Sequence, residues 1–247
     1  MSYQHLIEYL APLETFDPEV FVADDHVPQE VCDLVLSLAL AYNDFRDIFS
    51  AHHLLDEVAP TPDPTPTIER GLHGGLRNTL IRFQTGLVHE LLKLLKSQHH
   101  VIEQPTFQAI TRKLSRPQKA AWLALVAAAR NSPSGDPLAR TLLLIRNKVA
   151  FHYDAEQLGR GFESAFVKPA SFRQPFISRG AKVSETRFYF ADAAAQAYMF
   201  SKAGEGPAKN FLHGKGQILE ALHLPLYHIV TRFIQSRCAW KPYKSGA

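Results

Sequence analysis

Cysteine is scarce in this chain, with only Cys32 and Cys238 among 247 residues. Two cysteines so far apart cannot build a disulfide framework or a zinc knuckle, and neither belongs to a Cys-x-x-Cys pair. The sequence also lacks a His-Glu-x-x-His motif, and its glycine-rich segments, 204–209 and 214–216, do not have P-loop spacing. We therefore expect no bound metal and no other cofactor.

Long apolar runs are missing as well. The longest unbroken run, 120–129, is far shorter than the roughly 20 residues that a transmembrane helix needs. The first residues, 1–5, lack the basic and apolar regions of a signal peptide. Together with the low cysteine content, these absences predict a soluble cytoplasmic protein with no membrane contact.

Basic residues are nearly absent from the acidic N-terminal third, 1–69, where Arg46 stands against 14 Asp and Glu, for a net charge of −13. Residues 70–247 carry 26 Lys and Arg against 10 acids, for a net charge of +16. A basic body attracts polyanions through counterion release, and the acidic third could repel them, cover the basic face or bind a basic partner. The alternative is that both kinds of charge simply spread over a large solvated surface.

Apolar residues recur at steps of three and four along most of the chain, which is the period of amphipathic helices. Leu38 and Phe49 belong to one long stripe, and Leu76 and Phe83 belong to another. The pattern predicts helices over about 28–57, 72–104, 106–113, 116–130, 136–154, 191–203 and 207–238. The expected fold is all-α, a bundle of about seven helices with a small β-hairpin near 176–190.

The helices are expected to form a single domain over 1–247. Alternating prolines in 59–67 forbid a helix and favour an extended connection between the two long helices. The helices over about 190–240 form a C-terminal extension, because 95 residues follow His152.

Segment 136–154 has the strongest local signals in the chain. Asp136 is a good N-cap and Pro137 suits the first helical position. Apolar residues then recur at steps of three and four along the predicted helix, and His152 is the last member of that stripe. Arg146 and Asn147 lie directly beside the stripe.

An apolar helix that carries Arg146-Asn147 and then His152 resembles the R-x4-6-H signature of the HEPN superfamily. That resemblance implies an all-helical, metal-independent endoribonuclease, a toxin or phage-defence effector with a cognate antitoxin protein. On an ideal helix Arg146 and His152 lie roughly 120° apart, so both reach one phosphate only if the long Arg side chain swings round or the helix loosens near 151–153. The resemblance implies that two protomers pack these helices together, so that the Arg and His side chains meet in a shared cleft of a homodimer.

In such a site the RNA 2′-OH attacks the adjacent phosphate and leaves a 2′,3′-cyclic phosphate and a 5′-OH. His152 titrates near neutrality and is the base or acid candidate. Arg146 would stabilise the negative charge that grows on the phosphorane, and Asn147 would orient the phosphate or the imidazole. Lys148 would attract phosphate, and Tyr153 would hold the guanidinium or stack on a base.

Other interpretations remain open at this stage. The same Arg-to-His spacing also occurs at Arg46 with His52 or His53 and at Arg82 with His89. His152 could instead complete an apolar core while Arg146 pairs with a carboxylate. The chain would then be a non-catalytic HEPN-like dimer that binds RNA, nucleotide or protein, or a helical scaffold whose basic surface contacts an acidic partner.

Histidine pairs stand near the C-terminal ends of both long predicted helices, at His52-His53 and His99-His100. A partly protonated imidazole suits the negative end of a helix dipole. Three of these histidines also have a carboxylate four residues later, an arrangement that a metal can use. We favour surface ion pairs, since no further metal-binding motif accompanies them.

Overall fold

The computed structural model describes residues 14–61, 65, 67–131, 143, 147, 154–167, 175–180, 182, 185–203 and 217–242, with the side chains of 131 and 217–221 excepted. These residues confirm the all-α prediction. The described α-helices are α1 (Gln29–Glu57), α2 (Ile68–Ser97), α3 (His99–Ile102), α4 (Pro105–Arg112), α5 (Arg116–Asn131), α6 (Ala155–Phe162), α7 (Tyr189–Ala203) and α8 (Gln217–Arg237).

Four short elements accompany the helices. Strands β1 (Glu14–Thr15) and β2 (Lys241–Pro242) pair antiparallel, with Glu14 opposite Pro242. A 3-10 helix spans Pro18–Phe21, and a π-helix, Glu163–Val167, directly follows α6. The predicted hairpin near 176–190 is present as a single antiparallel bridge, in which Ser178 and Arg187 exchange N–H···O bonds of 2.8 and 2.9 Å.

Backbone packing divides the chain into two compact units. Unit 1 comprises Met1–Ser50, Leu91–Arg130 and Gln217–Ala247, and unit 2 comprises Ala51–Glu90 and Asn131–Gly216. Helices α1 and α2 each contribute one end to each unit. Whether the two units belong to one domain over 1–247 is not decided by this division, so the single domain stays a prediction.

Helix α1 follows its predicted stripe for most of its length. It starts directly after Pro28 and buries residues three and four positions apart because one face lies against the core of unit 1. Its buried residues are Val31, Cys32, Leu34, Val35, Leu38 and Phe45. The stripe was wrong at Phe49, which is 59% exposed.

The core of unit 1 is aromatic and aliphatic. Phe107 of α4 lies 5.8 Å from Trp122 of α5 between ring centroids, and Phe21 lies 5.5 Å from Phe233 of α8. Arg237 at the end of α8 donates to the Val22 carbonyl oxygen at 2.8 Å and to Asp24 at 2.9 Å. These bonds attach the C-terminal helix to the segment that precedes α1.

Helix α2 departs from its prediction in both bounds and burial. The predicted 72–104 helix ends at Ser97, and Ser97 Oγ donates to the Leu94 carbonyl oxygen at 2.9 Å. The Leu94 carbonyl oxygen also accepts the Gln98 N–H at 2.9 Å, so helical hydrogen bonding continues past Ser97, and α3 covers most of the rest of the predicted span. The predicted apolar seam was wrong in the first half of the helix, where Leu76 and Phe83 are 43% and 49% exposed.

No helix in the described part of the chain is long and apolar enough to cross a membrane.

Helix α6 was missed by the periodicity analysis because it is only eight residues long. Its local signal is nonetheless present, since Asp154 caps the helix by accepting from the Gln157 N–H at 3.0 Å. An Asp followed three residues later by Gln is a variant of the capping box. Leu158 on this helix packs against Ala195 and Tyr198 of α7.

The contact between α6 and α7 depends on a glycine, Gly161, which has no side chain. A Cβ atom added at Gly161 would lie 2.1 Å from the backbone carbonyl oxygen of Ala194. Real Cβ atoms do not approach a carbonyl oxygen so closely, and the backbone of a packed helix cannot yield as a flexible side chain can. Gly161 therefore sets the distance between the two helices.

We predict that Gly161→Ala lowers the free energy of unfolding by roughly 1–3 kcal/mol, the usual cost of overpacking a well-packed contact. Gly159→Ala is the matched control, because nothing lies within 4 Å of the added Cβ, and alanine is the better helix former by about 1 kcal/mol. Denaturant unfolding of both variants measures the difference. Equal midpoints for the two would contradict the close approach.

Candidate functional site

Four of the five site residues predicted from the sequence lie outside the described residues. These are Arg146, Lys148, His152 and Tyr153. The fifth, Asn147, is described and belongs to unit 2. The catalytic and RNA-binding roles of these five residues therefore stay a prediction.

Asn147 has π-helical rather than α-helical conformation, and it is half-buried. Short π-helical turns are rare, and they occur frequently at functional sites. Leu143, one turn earlier, is α-helical and also half-buried. The described part of the motif therefore has an irregular backbone at the polar position that follows Arg146.

The first half of α2 supplies unit 2 with buried polar side chains. Asn78, Gln84 and Thr85 are 5%, 2% and 0% exposed, so each is enclosed by the protein. Thr85 Oγ1 donates to the Ile81 carbonyl oxygen at 2.8 Å, which satisfies its hydroxyl within the helix. Buried polar groups need such partners, so this row constrains the packing of the unit.

Arg82 and His89 lie on this same helix at the spacing noted in the sequence. Seven residues make almost two turns, so the two side chains fall within about 20° of one face. Both are half-buried, and Arg82 Nη2 donates to Thr79 Oγ1 at 3.1 Å. Thr79 in turn donates to the Gly75 carbonyl oxygen at 3.0 Å. This second Arg and His pair therefore belongs to a polar helix face within unit 2.

His52 of α1 meets the opposite side of α2 within unit 2. Burial lowers the pKa of its imidazole below the ordinary value of 6.5, and the Arg77 guanidinium acts in the same direction. Asp56 and a side-chain hydrogen bond with Gln84 act against this shift. A neutral imidazole that bonds to a buried amide is therefore the favoured state near neutral pH.

An ion pair from the bridge region also lies against α2. Arg187 donates to Asp192 Oδ2 from Nη2 at 2.9 Å and from Nε at 3.2 Å. A Cβ added at Gly75 would lie 1.9 Å from Arg187 Nη2, and one added at Gly71 would lie 2.6 Å from the Tyr189 ring. Because Gly71 and Gly75 lie one turn apart and have no side chain, the start of α7 can pack directly on the surface of α2.

One histidine of each pair near the ends of the long predicted helices lies close to the carboxylate four residues after it. His53 lies 3.2 Å from Glu57, and His99 lies 3.3 Å from Glu103. Among the residues that the structure describes, His, Cys, Asp and Glu do not assemble in groups of three or more that could hold a metal ion. Cys32 is buried and Cys238 is half-buried, and both are free thiols.

Unit 2 thus combines a polar motif residue in an irregular turn with a helix that encloses amides and a hydroxyl and half-buries Arg82 and His89. A guanidinium and an imidazole are groups that contact phosphate or exchange protons near neutral pH, whereas the enclosed amides and hydroxyl constrain the packing. The sequence missed the inward polar row, because the exposed Leu72, Leu76 and Phe83 formed the more obvious stripe. Its available signal was the density of polar residues in 70–90.

Comparisons of the chain with protein-family models, with curated proteins and with solved structures found no match. A function is therefore inferred from the residues themselves.

The lowered pKa of His52 predicts that the stability of the folded protein depends on pH. The folded protein binds fewer protons at His52 than the unfolded chain does. The stability that the neutral imidazole contributes to the fold is therefore complete above pH 6.5, and it is lost as pH falls toward the pKa of the folded state. We expect the melting temperature of the wild type to fall more steeply between about pH 7 and about pH 5 than that of His52→Gln.

Thermal unfolding across this pH range measures the two slopes. His53→Gln is the control, since the neighbouring His53 side chain is 61% exposed and pairs with Glu57 at the surface. Parallel curves for the wild type and His52→Gln would show that burial of this imidazole does not affect folding.

Proposed function

We propose that this chain is a metal-independent endoribonuclease of the HEPN type, with Arg146, Asn147 and His152 as its catalytic residues. Lys148 attracts the phosphate, and Tyr153 holds the Arg146 guanidinium or stacks on a base. The observation that carries the proposal is the Arg-Asn-x4-His segment, whose Asn147 has a π-helical backbone in an all-helical protein. The polar inward face of α2 lies in the same unit and supports it.

The reaction needs only groups that this chain supplies. His152 removes the proton from the RNA 2′-OH, and the oxygen attacks the adjacent phosphorus. The bond from phosphorus to the 5′-oxygen then breaks, and that oxygen takes up a proton from a protonated imidazole. Arg146 stabilises the extra negative charge on the phosphorane. The products are a 2′,3′-cyclic phosphate and a 5′-OH, and no electron is transferred.

A homodimer follows from the same proposal. On a regular α-helix Arg146 and His152 lie roughly 120° apart and do not share a face. Two copies of the motif helix that face each other across a two-fold axis bring an Arg of one protomer to the His of the other. The basic region 70–247, with a net charge of +16, attracts the RNA to this cleft.

The biological setting of the proposal comes from the resemblance alone. A cytoplasmic nuclease of this type would act as a toxin or phage-defence effector, and an antitoxin protein would hold it inactive. The alternative is a HEPN-like dimer that binds RNA, nucleotide or protein without cleaving it.

A cleavage assay on labelled RNA with excess EDTA tests the activity. We expect chelator-resistant cleavage by the wild type and a loss of at least about 100-fold in Arg146→Ala and in His152→Ala, the lower range for removal of a proton-transfer group. Arg130→Ala and His53→Ala are the controls, because these residues form surface ion pairs with Glu103 and Glu57. Loss of cleavage on chelation, or full activity of both motif variants, would overturn the proposal.

Mixing the two inactive variants tests the shared cleft. A heterodimer of Arg146→Ala and His152→Ala has one site without either group and one site with both, if each site takes its Arg and His from different protomers. We therefore expect mixed variants to recover roughly a quarter of the wild-type rate, the share for random exchange of subunits into half-active dimers. A mixture as inactive as its components would place both groups on one protomer.

A further inference from the structure

Four rings form a cluster on the surface of unit 1, where α8 meets α1. Tyr42 of α1 lies 4.8 Å from His223 of α8 between ring centroids, at an interplanar angle of 32°. It also lies 5.9 Å from Tyr227, and Tyr227 lies 4.9 Å from His228 in an edge-to-face contact. The Tyr42 hydroxyl and His223 Nε2 are 2.9 Å apart, within hydrogen-bond distance. We call these four residues the aromatic cluster.

The aromatic cluster is open to solvent although α8 has a separate apolar face. Tyr227 is 45% exposed and its neighbour Leu224 is 36% exposed. The inward face of the helix is complete without them, since it buries Leu222, Leu226, Ile229, Phe233 and Ile234. The rings of the cluster are therefore held in place by one another while part of their surface faces outward.

The two histidines and Tyr42 are neutral near physiological pH. Burial lowers the pKa of His223, with His228 adding to the effect, and burial followed by Arg232 lowers the pKa of His228. Burial also raises the pKa of Tyr42, and Tyr227 adds to this shift. These three rings therefore present flat, uncharged π surfaces with hydrogen-bonding edges.

Fixed positive charge flanks the rings. Arg46 follows Tyr42 by four residues and Arg232 follows His228 by four residues, and each guanidinium acts electrostatically on the ring before it. Arg46 also pairs with Asp47 at 3.0 Å. Neutral rings next to guanidinium groups suit both parts of a nucleotide. The base can stack on a ring, and the phosphate can form an ion pair with a guanidinium.

We propose that the aromatic cluster is a stacking site for the bases of single-stranded RNA, with Tyr227 as its principal exposed platform and Arg232 as its phosphate contact. The proposal rests on the proposed function in one respect, because it takes RNA as the polymer that this protein binds. It adds a second contact for the same substrate, in unit 1 rather than in unit 2 with Asn147. Stacking of this kind tolerates different sequences, because every base has a π face.

Binding without cleavage separates this proposal from the nuclease proposal. The probe is a fluorescent single-stranded oligonucleotide in which every 2′-OH is methylated, so the attacking nucleophile is absent. Fluorescence anisotropy of the full chain measures its dissociation constant. We expect Tyr227→Ala to weaken binding by about tenfold, in the range found for removal of one stacking ring, and Tyr227→Phe to retain wild-type affinity because it keeps the ring.

Phe188→Ala is the matched control, because Phe188 is another aromatic residue of similar exposure, 56%, and lies in unit 2. Melting temperatures confirm that the variants are folded. The site is overturned if Tyr227→Ala binds within about twofold of wild type, if Tyr227→Phe or Phe188→Ala weakens binding equally, or if the wild type does not bind the probe. If the wild type did not bind the oligonucleotide, the aromatic cluster would be interpreted as a binding surface for a protein partner instead. Tyr227-dependent binding by a chain that cleaves no RNA would uphold the site and overturn only the nuclease.

Discussion

Unit 2 depends on a helix that turns polar side chains inward. In the first half of α2, Asn78, Gln84 and Thr85 are buried, while Leu72 and Leu76 are exposed. A buried amide or hydroxyl costs free energy unless it is hydrogen-bonded, so each neighbour of this helix must supply a partner or leave the group bonded within the helix. The second half of α2, in unit 1, buries Leu91, Leu92 and Leu95 instead. Apolar Ile81 and Val88 are buried in the first half too, so the unit 2 part of α2 buries a mixture of polar and apolar side chains.

The close contacts of unit 2 have a common physical cause. Gly71 and Gly75 on α2 and Gly161 on α6 stand where another element approaches too closely for a Cβ atom. At Gly161 the neighbouring atom is a backbone carbonyl oxygen, whereas at Gly71 and Gly75 the neighbours are the Tyr189 ring and the Arg187 guanidinium. Added volume at Gly161 therefore meets a packed backbone, while at the other two glycines a side chain would have to shift. A unit that combines glycine-mediated contacts with buried polar groups allows few alternative packings, which is favourable for holding functional side chains in fixed positions.

The two proposed RNA contacts differ in the physics that they use. Under the first proposal, the motif in unit 2 would act by charge and proton transfer at one phosphate, through Arg146 and His152. Under the second, the aromatic cluster in unit 1 would use exposed ring surface and nearby positive charge, and so would contribute to affinity and not to the chemical step. Stacking and phosphate contacts are in general largely independent of base sequence.

The order of residues along the chain was enough to predict the helical class and most helix positions, since α1, α4, α5 and α7 follow apolar periods and end near proline or polar residues. It also contains the Arg146-Asn147 and His152 signature, because that pattern is local. The folded structure was needed to show which residues of α2 point inward, since polar residues become buried when a neighbour offers bonds or space. It alone joined Tyr42 to His223, which are 181 residues apart, because a contact between distant helices depends on packing and leaves no periodic trace in the chain.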